Sequence, residues 1–501
     1  MSFKTRRIIF YTLFFLFILT GLGVVFYSRG WRVDINSCHF TQLQDCRVSF
    51  NKIGAVFIET EPKGVIIKID GKTFTDKSGL MQSGTLISNL LPKTYKVEIE
   101  KDGYQSWQKN ILVKPSLVTE ILQVILIPEK LEKISILISK PIGDFWLSPQ
   151  KKIVLKSNGA LYYSQDFSTF NKFRGDEFIS WSDNESKIIL RDSKNQIYYL
   201  YDLSSAFKTF NINAAFNNFQ ATDITKIAFH PTETNRLIVA DKNGLYLLDL
   251  NRSQLESLFK KPLTVWTIKN PNIYYIYTKK INNQGLLTNS YVLGSFNLVS
   301  RAEDLTFELP GNLIHQKPIK VAALGNKIAV LFDNGGLYLF NQQNQDFKQI
   351  ASSAEDFVFS PDAKKIAFWD KTCPVGSQTL SCGGGKINIY FMEDYQKGIT
   401  KKAGDVISFN FYPKTDGLII KDISWHKDSS HIFVETQTSV DFLEIDDRLP
   451  INKYTLVEKA SDFYYEPNSN RLYFIQSFDK LRIDPEQSRM GQENNLYFVE
   501  L

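Results

Sequence analysis

The sequence predicts an all-β chain behind one N-terminal transmembrane helix: a small β-sandwich, then a β-propeller of about eight, alternatively seven, four-stranded blades. Three observations carry this. A strand–turn–strand unit recurs from about residue 131 to Leu501 with a period of about 46 residues, inside the range of about 40–50 for propeller blades. Aromatic residues reach 14%, with 38 Phe and 23 Tyr, as pleated, half-buried surfaces favour. An uncharged apolar run, Ile8 to Tyr27, precedes everything else. With 501 residues, 43% of them hydrophobic and 22% charged, the chain exceeds one ordinary domain and has the composition of neither a disordered nor a multispanning protein.

The run Ile8–Tyr27 holds 20 residues, and at ~1.5 Å per helical residue it spans about 30 Å, the hydrocarbon thickness of a bilayer. Tyr11, Tyr27 and Trp31 stand where aromatic rings rest in the interface. Lys4, Arg6 and Arg7 precede the run, while Arg29 and Arg32, offset in part by Asp34, follow it. The more positive end stays in the cytoplasm, so residues 1–30 read as a stub and membrane anchor with the rest outside, a single-pass cell-membrane topology. The rival is a cleaved signal peptide, whose apolar core runs ~7–15 residues to an Ala-x-Ala-like site. This run is longer and lacks Ala, although Gly21-Leu22-Gly23 offers a small-x-small step. Lys4, Arg6, Arg7 and Arg29 account for four of the net +6, and the later doublets Lys260-Lys261, Lys279-Lys280 and Lys401-Lys402 are dispersed among acids. No nucleic-acid face is expected from such a distribution.

Cys38 and Cys46, in a linker over residues 31–53, form one local pair, and Cys373 and Cys382 form another. Two local pairs in an exported chain suit two disulfides. Four unrelated buried thiols are the alternative, and zinc would prefer tighter spacing with His partners. With only 5 His and 4 Met in the whole chain, neither a histidine metal cluster nor a Met-rich groove is expected.

Residues 54–128 change to short alternating strands. Ala55–Thr60, Val65–Ile69, Thr94–Glu100, Ile111–Val113 and Thr119–Leu126 have strand character, and Asp70-Gly71 and Asp102-Gly103 are tight-turn signals, so an antiparallel sandwich is expected. Pro62-Lys63-Gly64-Val65, Ile69-Asp70-Gly71, Leu90-Leu91-Pro92 before Tyr95-Lys96-Val97, and Lys101-Asp102-Gly103-Tyr104 resemble the PEGA domain over roughly residues 54–127. Lys63 and Val65 replace the signature Glu and Ala, and Lys93 a usual Gly. The resemblance implies an envelope spacer or contact module without catalytic residues, its turns made by Pro62, Gly64, Asp70, Gly71, Gly103 and Tyr104. Gly64, Gly71 and Gly103 would serve by permitting positive φ.

Residues 129–501 carry the propeller. Its units open at Phe145-Trp146-Leu147-Ser148-Pro149, Ile179-Ser180-Trp181-Ser182, Ala228-Phe229-His230-Pro231, Phe357-Val358-Phe359-Ser360-Pro361, Ile423-Ser424-Trp425-His426 and Phe463-Tyr464-Tyr465-Glu466-Pro467, with weaker copies at Val265-Trp266-Thr267 and Lys320-Val321-Ala322. Third strands such as Leu245–Leu248 and Leu337–Phe340 follow Asn-Gly hairpin signals at residues 243–244 and 334–335, as does Leu161–Tyr163 after Asn158-Gly159. The last unit ends after a third strand, so Ile134–Ile138 is expected to supply its missing outer strand and close the ring. Ser360-Pro361-Asp362-Ala363-Lys364-Lys365-Ile366-Ala367-Phe368 resembles the WD40-like repeats of TolB-type propellers, which implies a fold and protein or peptide partners.

No G-x-S-x-G, H-E-x-x-H, Walker or EF-hand motif is present. His230 and His426 read as turn side chains, Asp446-Asp447 as a solvated loop pair, and Trp146, Trp181, Trp266 and Trp425 as packing between blades. No catalytic residue, cofactor or metal is expected. The function these features predict is non-catalytic binding or scaffolding at the outer face of the membrane, with the bilayer as one partner and an envelope protein, peptide or glycan as another. The alternative is a polysaccharide hydrolase or lyase using the central cleft, which would gather carboxylates, His or Arg at the channel mouth.

Overall fold

A computed structural model describes residues 3–34, 49–79, 82–136, 141–204, 207–217, 224–283, 286–370, 385–410, 419–478 and 493–501. Cys38, Cys46, Cys373 and Cys382 lie outside the described residues, as do residues 137 and 138 of the expected closing strand. The chain forms two compact units, one of residues 1–131, 393–405 and 443–454, the other of residues 132–392, 406–442 and 455–501.

The first unit opens with a helix, Phe3–Ser28, with no buried residue. It is long and apolar enough to cross a membrane by length and composition. After it, Arg32 lies 3.6 Å from the Tyr27 ring centroid, and strands β1 (Trp31–Asp34) and β2 (Ser49–Lys52) pair antiparallel on either side of the segment that holds Cys38 and Cys46. Seven further strands follow: β3 (Gly54–Glu61), β4 (Ile66–Ile69), β5 (Lys72–Thr75), β6 (Thr85–Leu90), β7 (Thr94–Glu100), β8 (Trp107–Leu112) and β9 (Val118–Ile125). They make two sheets, β6-β3-β9 and β5-β4-β7-β8. Period-two alternation sends Val56, Ile58, Ile67, Ile69, Val97, Ile99, Trp107 and Ile111 into one core. The expected all-antiparallel sandwich needs correction, because β3 and β9 run parallel, Ala55 opposite Val118 and Ile58 opposite Ile121. The two strands lie at opposite ends of the domain, so no hairpin constrains their direction.

The predicted turn residues fall where backbone geometry is tight. Gly64, Gly71 and Gly103 all have positive φ, and Asp70 (φ 47°) with Gly71 (φ 80°) makes the two-residue hairpin between β4 and β5. Asp76 holds the neighbouring loop together. Its carboxylate accepts the Gly64 and Ser78 amides at 2.7 and 2.8 Å and the Ser78 and Thr85 hydroxyls at 2.6 and 2.7 Å. Burial alone would raise its pKa, but these donors outweigh it and hold the carboxyl well below the usual range. Its stabilisation is therefore present above about pH 4 and fades as pH falls toward the depressed folded value. Asp76→Asn should destabilise the domain by about 1–2 kcal/mol at pH 7, with the gap to wild type narrowing in acid melts. A gap independent of pH would contradict the assignment.

The second unit is a β-propeller. Among the described residues it holds eight four-stranded sheets, taken here in order as the first (residues 144–172), second (177–211), third (226–259), fourth (263–308), fifth (318–351), sixth (354–409), seventh (420–458) and eighth. Seven are meanders of four consecutive strands; in the turn Asn158-Gly159 both residues have positive φ, the conformation this pair favours. The eighth joins three C-terminal strands (Ala460–Glu466, Arg471–Phe478, Glu493–Glu500) to β10 (Ile134–Ile136). Ile134, Ser135 and Ile136 pair antiparallel with Phe498, Tyr497 and Leu496, the ring closure expected from the sequence. Buried apolar side chains of successive sheets pack together, for example Ile153, Leu155, Tyr473 and Leu496. Turns after first strands also bond forward in two places: Ser148 donates to Glu185 at 2.7 Å, and the Asp362 amide donates to the Ser429 hydroxyl at 3.0 Å.

Candidate functional site: an acidic, aromatic propeller mouth

First strands of a propeller line its channel, and those of the first, second, seventh and eighth sheets, together with Glu435 of the seventh sheet's second strand, enclose a cavity of about 420 Å³. Asp144, Lys421, Asp422, Glu435 and Asp462 give it charge, and Trp146, Phe178, Trp181, Phe463 and Tyr464 give it aromatic walls. Trp146 and Phe178 stack at 5.1 Å between centroids, with Trp181 5.5 Å from Phe178.

The acids share one local device. Asp144, Asp356 and Asp422 each accept the amide of the following residue, at 2.8, 2.7 and 2.8 Å, which fixes the carboxylate beside its own strand. Glu435 is buried, accepts the Asp462 amide at 3.1 Å and pairs with Lys421 at 3.5 Å. On the neighbouring strand Lys320 pairs with Asp356 at 2.6 Å. Burial raises the pKa of Asp144, and the nearby Asp462 charge adds to it. Burial likewise raises Asp422, aided by Asp356, and Glu435, aided by Asp462 and Asp422. Glu435 is buried and Asp144 half-buried, whereas Asp422 and Asp462 are exposed; the four line one cavity, so each gains from a positive charge between them.

Sequence reasoning missed this cluster, although the signal was present. Counting four residues back from the turn positions Ser148, Ser360, His426 and Glu466 gives Asp144, Asp356, Asp422 and Asp462. The repeat motif begins one residue earlier than Phe145, Phe357, Ile423 and Phe463 suggest. In the second and third sheets the same offset from Ser182 and His230 gives Phe178 and Lys226, so the acids occupy one arc. The tryptophans divide. Trp266 and Trp425 are buried packing residues, whereas Trp146 and Trp181 are half-buried at the cavity.

The other singled-out residues sit elsewhere. His230 caps its own turn, its Nδ1 accepting the Thr232 and Glu233 amides at 3.4 and 3.2 Å. Asp446 and Asp447 are not a solvated pair: Asp446 is buried and chelated by Arg448, with Nε at 2.8 and 3.0 Å from its two oxygens, and Asp447 pairs with Lys401 at 2.6 Å. The expectation failed because the loop folds onto β8 of its own unit, where the Asn110 amide donates to Leu449 at 2.7 Å. Pro62, Gly64, Asp70, Gly71, Gly103 and Tyr104 form turns of the small domain; Asp70 accepts the Lys96 amide at 2.9 Å and pairs with Lys93 at 2.7 Å, while Tyr104 packs on the core.

Residues 53–125 match the PEGA domain, so the chain is a β-propeller protein that carries a PEGA domain behind an N-terminal apolar helix. No curated protein matches the chain. Solved structures similar to it include a eukaryotic initiation factor, at 10% identity over 73% of this chain and 86% of that one with a TM-score of 0.46. PorZ, a bacterial surface component of the type-IX secretion system of Porphyromonas gingivalis, is similar at 13% identity over 69% of this chain and 43% of that one, TM-score 0.35. The oligogalacturonate lyase of Vibrio parahaemolyticus is similar at 12% identity over 74% and 98%, TM-score 0.36.

Proposed function

We propose that this chain is a non-catalytic binding protein of the cell envelope, anchored by Phe3–Ser28 with its N-terminus in the cytoplasm, whose propeller mouth receives a basic side chain of a protein or peptide partner. The observation that carries the reading is the meeting of Asp144, Asp422, Asp462 and Glu435 with the stacked Trp146 and Phe178 in one cavity. A guanidinium or ammonium entering there relieves the mutual repulsion of the carboxylates and finds aromatic faces for cation–π contact. Lys421 neutralises only part of that charge. The test is calorimetric titration of the full chain in detergent with tri-arginine, tri-lysine and tri-glutamate peptides. The arginine peptide should bind, and Asp422→Asn with Asp462→Asn should weaken it at least tenfold, about 1.4 kcal/mol. Equal binding of the glutamate peptide, or no loss in the double variant, would sink the reading.

The raised carboxylates favour one second reading, the polysaccharide hydrolase or lyase, because a protonated acid beside an ionised one is the pairing glycoside cleavage uses. Release of reducing ends from envelope polysaccharide, abolished by Asp144→Asn, would establish it in place of simple binding.

A further inference from the structure

The turns that follow the first strands in the sixth and seventh sheets share one backbone. In the sixth, the Ser360 amide donates to the Lys365 carbonyl at 2.9 Å, and the Ala363 amide donates to the Ser360 carbonyl at 2.9 Å. In the seventh, the His426 amide donates to the His431 carbonyl at 3.0 Å, and the Ser429 amide donates to the His426 carbonyl at 3.0 Å. The side chains differ. The sixth sheet has Ser360, Asp362 and Lys365, with the fully buried Lys365 ammonium 2.6 Å from Asp362. The seventh has His426, Asp428 and His431 at the same offsets of zero, two and five. The sixth turn thus closes around a buried positive charge carried by lysine, and the seventh replaces that lysine with an imidazole and the serine with another.

The seventh turn assembles a donor set. His426 Nδ1 lies 3.1 Å from Asp428 Oδ1, and His431 Nδ1 lies 2.7 Å from Asp428 Oδ2. One ligand atom from each of the three residues falls within 4.8 Å of the others. His426 and His431 are buried, with side chains 3% and 4% exposed, and Asp428 is 11% exposed. The tautomer of His426 is set from outside. Its Nε2 lies 3.1 Å from Asn470 Oδ1. That oxygen also accepts the Tyr465 hydroxyl at 2.8 Å, while the Asn470 amide nitrogen donates to the Leu501 carbonyl, so the amide orientation is fixed. His426 Nε2 therefore donates to Asn470, and Nδ1 faces a carboxylate oxygen of Asp428. The Asp428 amide also reaches that nitrogen, at 3.4 Å. The rings are also held in place, His431 stacked on Phe442 at 4.7 Å and His426 against Phe433, Phe442 and Tyr465.

We propose that His426, Asp428 and His431 form a structural binding site for a divalent transition cation of the zinc class. Two imidazole nitrogens and a carboxylate are a borderline donor set, and ligand atoms already within 4.8 Å of one another need only small side-chain shifts to reach the metal bonds of about 2.0–2.2 Å of a tetrahedral ion. The His426 Nε2–H to Asn470 contact is the outer hydrogen bond that metal-ligating histidines make. The cation takes the place that the lysine ammonium fills in the sixth sheet. With both histidines buried and Asp428 only 11% exposed, the site is a clasp for the fold.

The probe is zinc, with the full chain purified in detergent without a histidine tag. After dialysis, elemental analysis should find about one zinc per chain, and added zinc should raise the melting temperature of chelator-stripped protein by several degrees. The combined variant His426→Ser with His431→Lys rebuilds the Ser-x-Asp-x-x-Lys turn of the sixth sheet. It should remain folded, hold less than a tenth of an equivalent of zinc and lose the zinc-dependent shift. His431→Lys alone is the second variant, with the same expected loss and a smaller change to the turn. Wild-type protein without zinc and without a zinc-dependent shift would overturn the proposal. So would variants that bind as much zinc as wild type, since the metal would then sit elsewhere.

Discussion

Replacing Lys109 with methionine should destabilise the PEGA-bearing unit by about 3–5 kcal/mol, the range for stripping one partner from a buried ion pair. Lys109 is fully buried, and its ammonium donates to the carbonyls of Asp446 and Arg448 at 3.0 Å and of Pro450 at 3.4 Å. It also lies 3.3 Å from Glu444, itself 7% exposed, which accepts the Trp107 indole at 3.0 Å and the Asn452 amide at 2.8 Å. Methionine keeps the length and packing of the stem but leaves a carboxylate without its cation and three carbonyls without a donor. Charge and hydrogen bonding should therefore dominate the loss. Lys109→Met with Glu444→Gln should recover part of it, because the second change removes the stranded charge. Denaturant melts, with hydrogen exchange at the Trp107–Leu112 amides as the local readout, decide the matter. A single variant that melts within about 1 °C of wild type would refute the assignment, and a double variant worse than the sum of the singles would refute the coupling.

Lys109 also shows what was legible in the sequence and what was not. Trp107, Lys109, Ile111 and Val113 alternate with period two, so the lysine stands in the inward phase of a strand. Read as beginning at Ile111, that strand hides its lysine; the structure begins it at Trp107. Strand boundaries blur in this way because a charged residue at an inward position looks like a turn until its partners are known, and those partners lie more than 330 residues away. The repeats were easier. Each first strand ends in a small or polar turn residue, and the third strands are dense in Tyr and Leu, so local pattern alone places most propeller strands. The weak copies at Val265 and Lys320 proved to be ordinary four-stranded sheets whose turns lack the Ser-Pro mark. The mouth was hidden for a different reason. Asp144, Asp422 and Asp462 are separated by up to 318 positions, and only closure of the ring brings the eighth sheet beside the first. Counting offsets within the repeat would have aligned them; reading charges along the chain could not. Two of the five histidines likewise meet in one turn, so a low count does not exclude a cluster when the repeat itself sets the spacing.

Closure itself is the contact whose loss should propagate furthest. In the full chain, proline at Ile134, Ser135 and Ile136 together should lower the melting temperature by about 5 °C or more and promote aggregation. The three residues pair with Phe498, Tyr497 and Leu496, and triple replacement removes every β10 amide whichever of them faces the ladder. At about 1 kcal/mol per net hydrogen bond, two or three bonds are worth about 2–3 kcal/mol. Ile136, packed against the cluster of Ile142, Leu155, Tyr473 and Leu496, adds an apolar contribution, whereas Ile134 is 41% exposed and adds little. The direct loss is therefore moderate, and the larger consequence is exposure. Strand Glu493–Glu500 carries the buried Leu496, Tyr497 and Val499, and without β10 its outer edge presents unpaired amides and carbonyls over an apolar strand. Such an edge recruits a second chain, so loss of monomer in light scattering should precede the melt. Lys130→Ser with Glu132→Ser, two exposed positions just before β10, is the control and should leave both readouts unchanged. If the proline variant matches that control in melting temperature and in monomer retention, the end-to-end strand does not close the ring, and the eighth sheet must be stable on its three C-terminal strands alone.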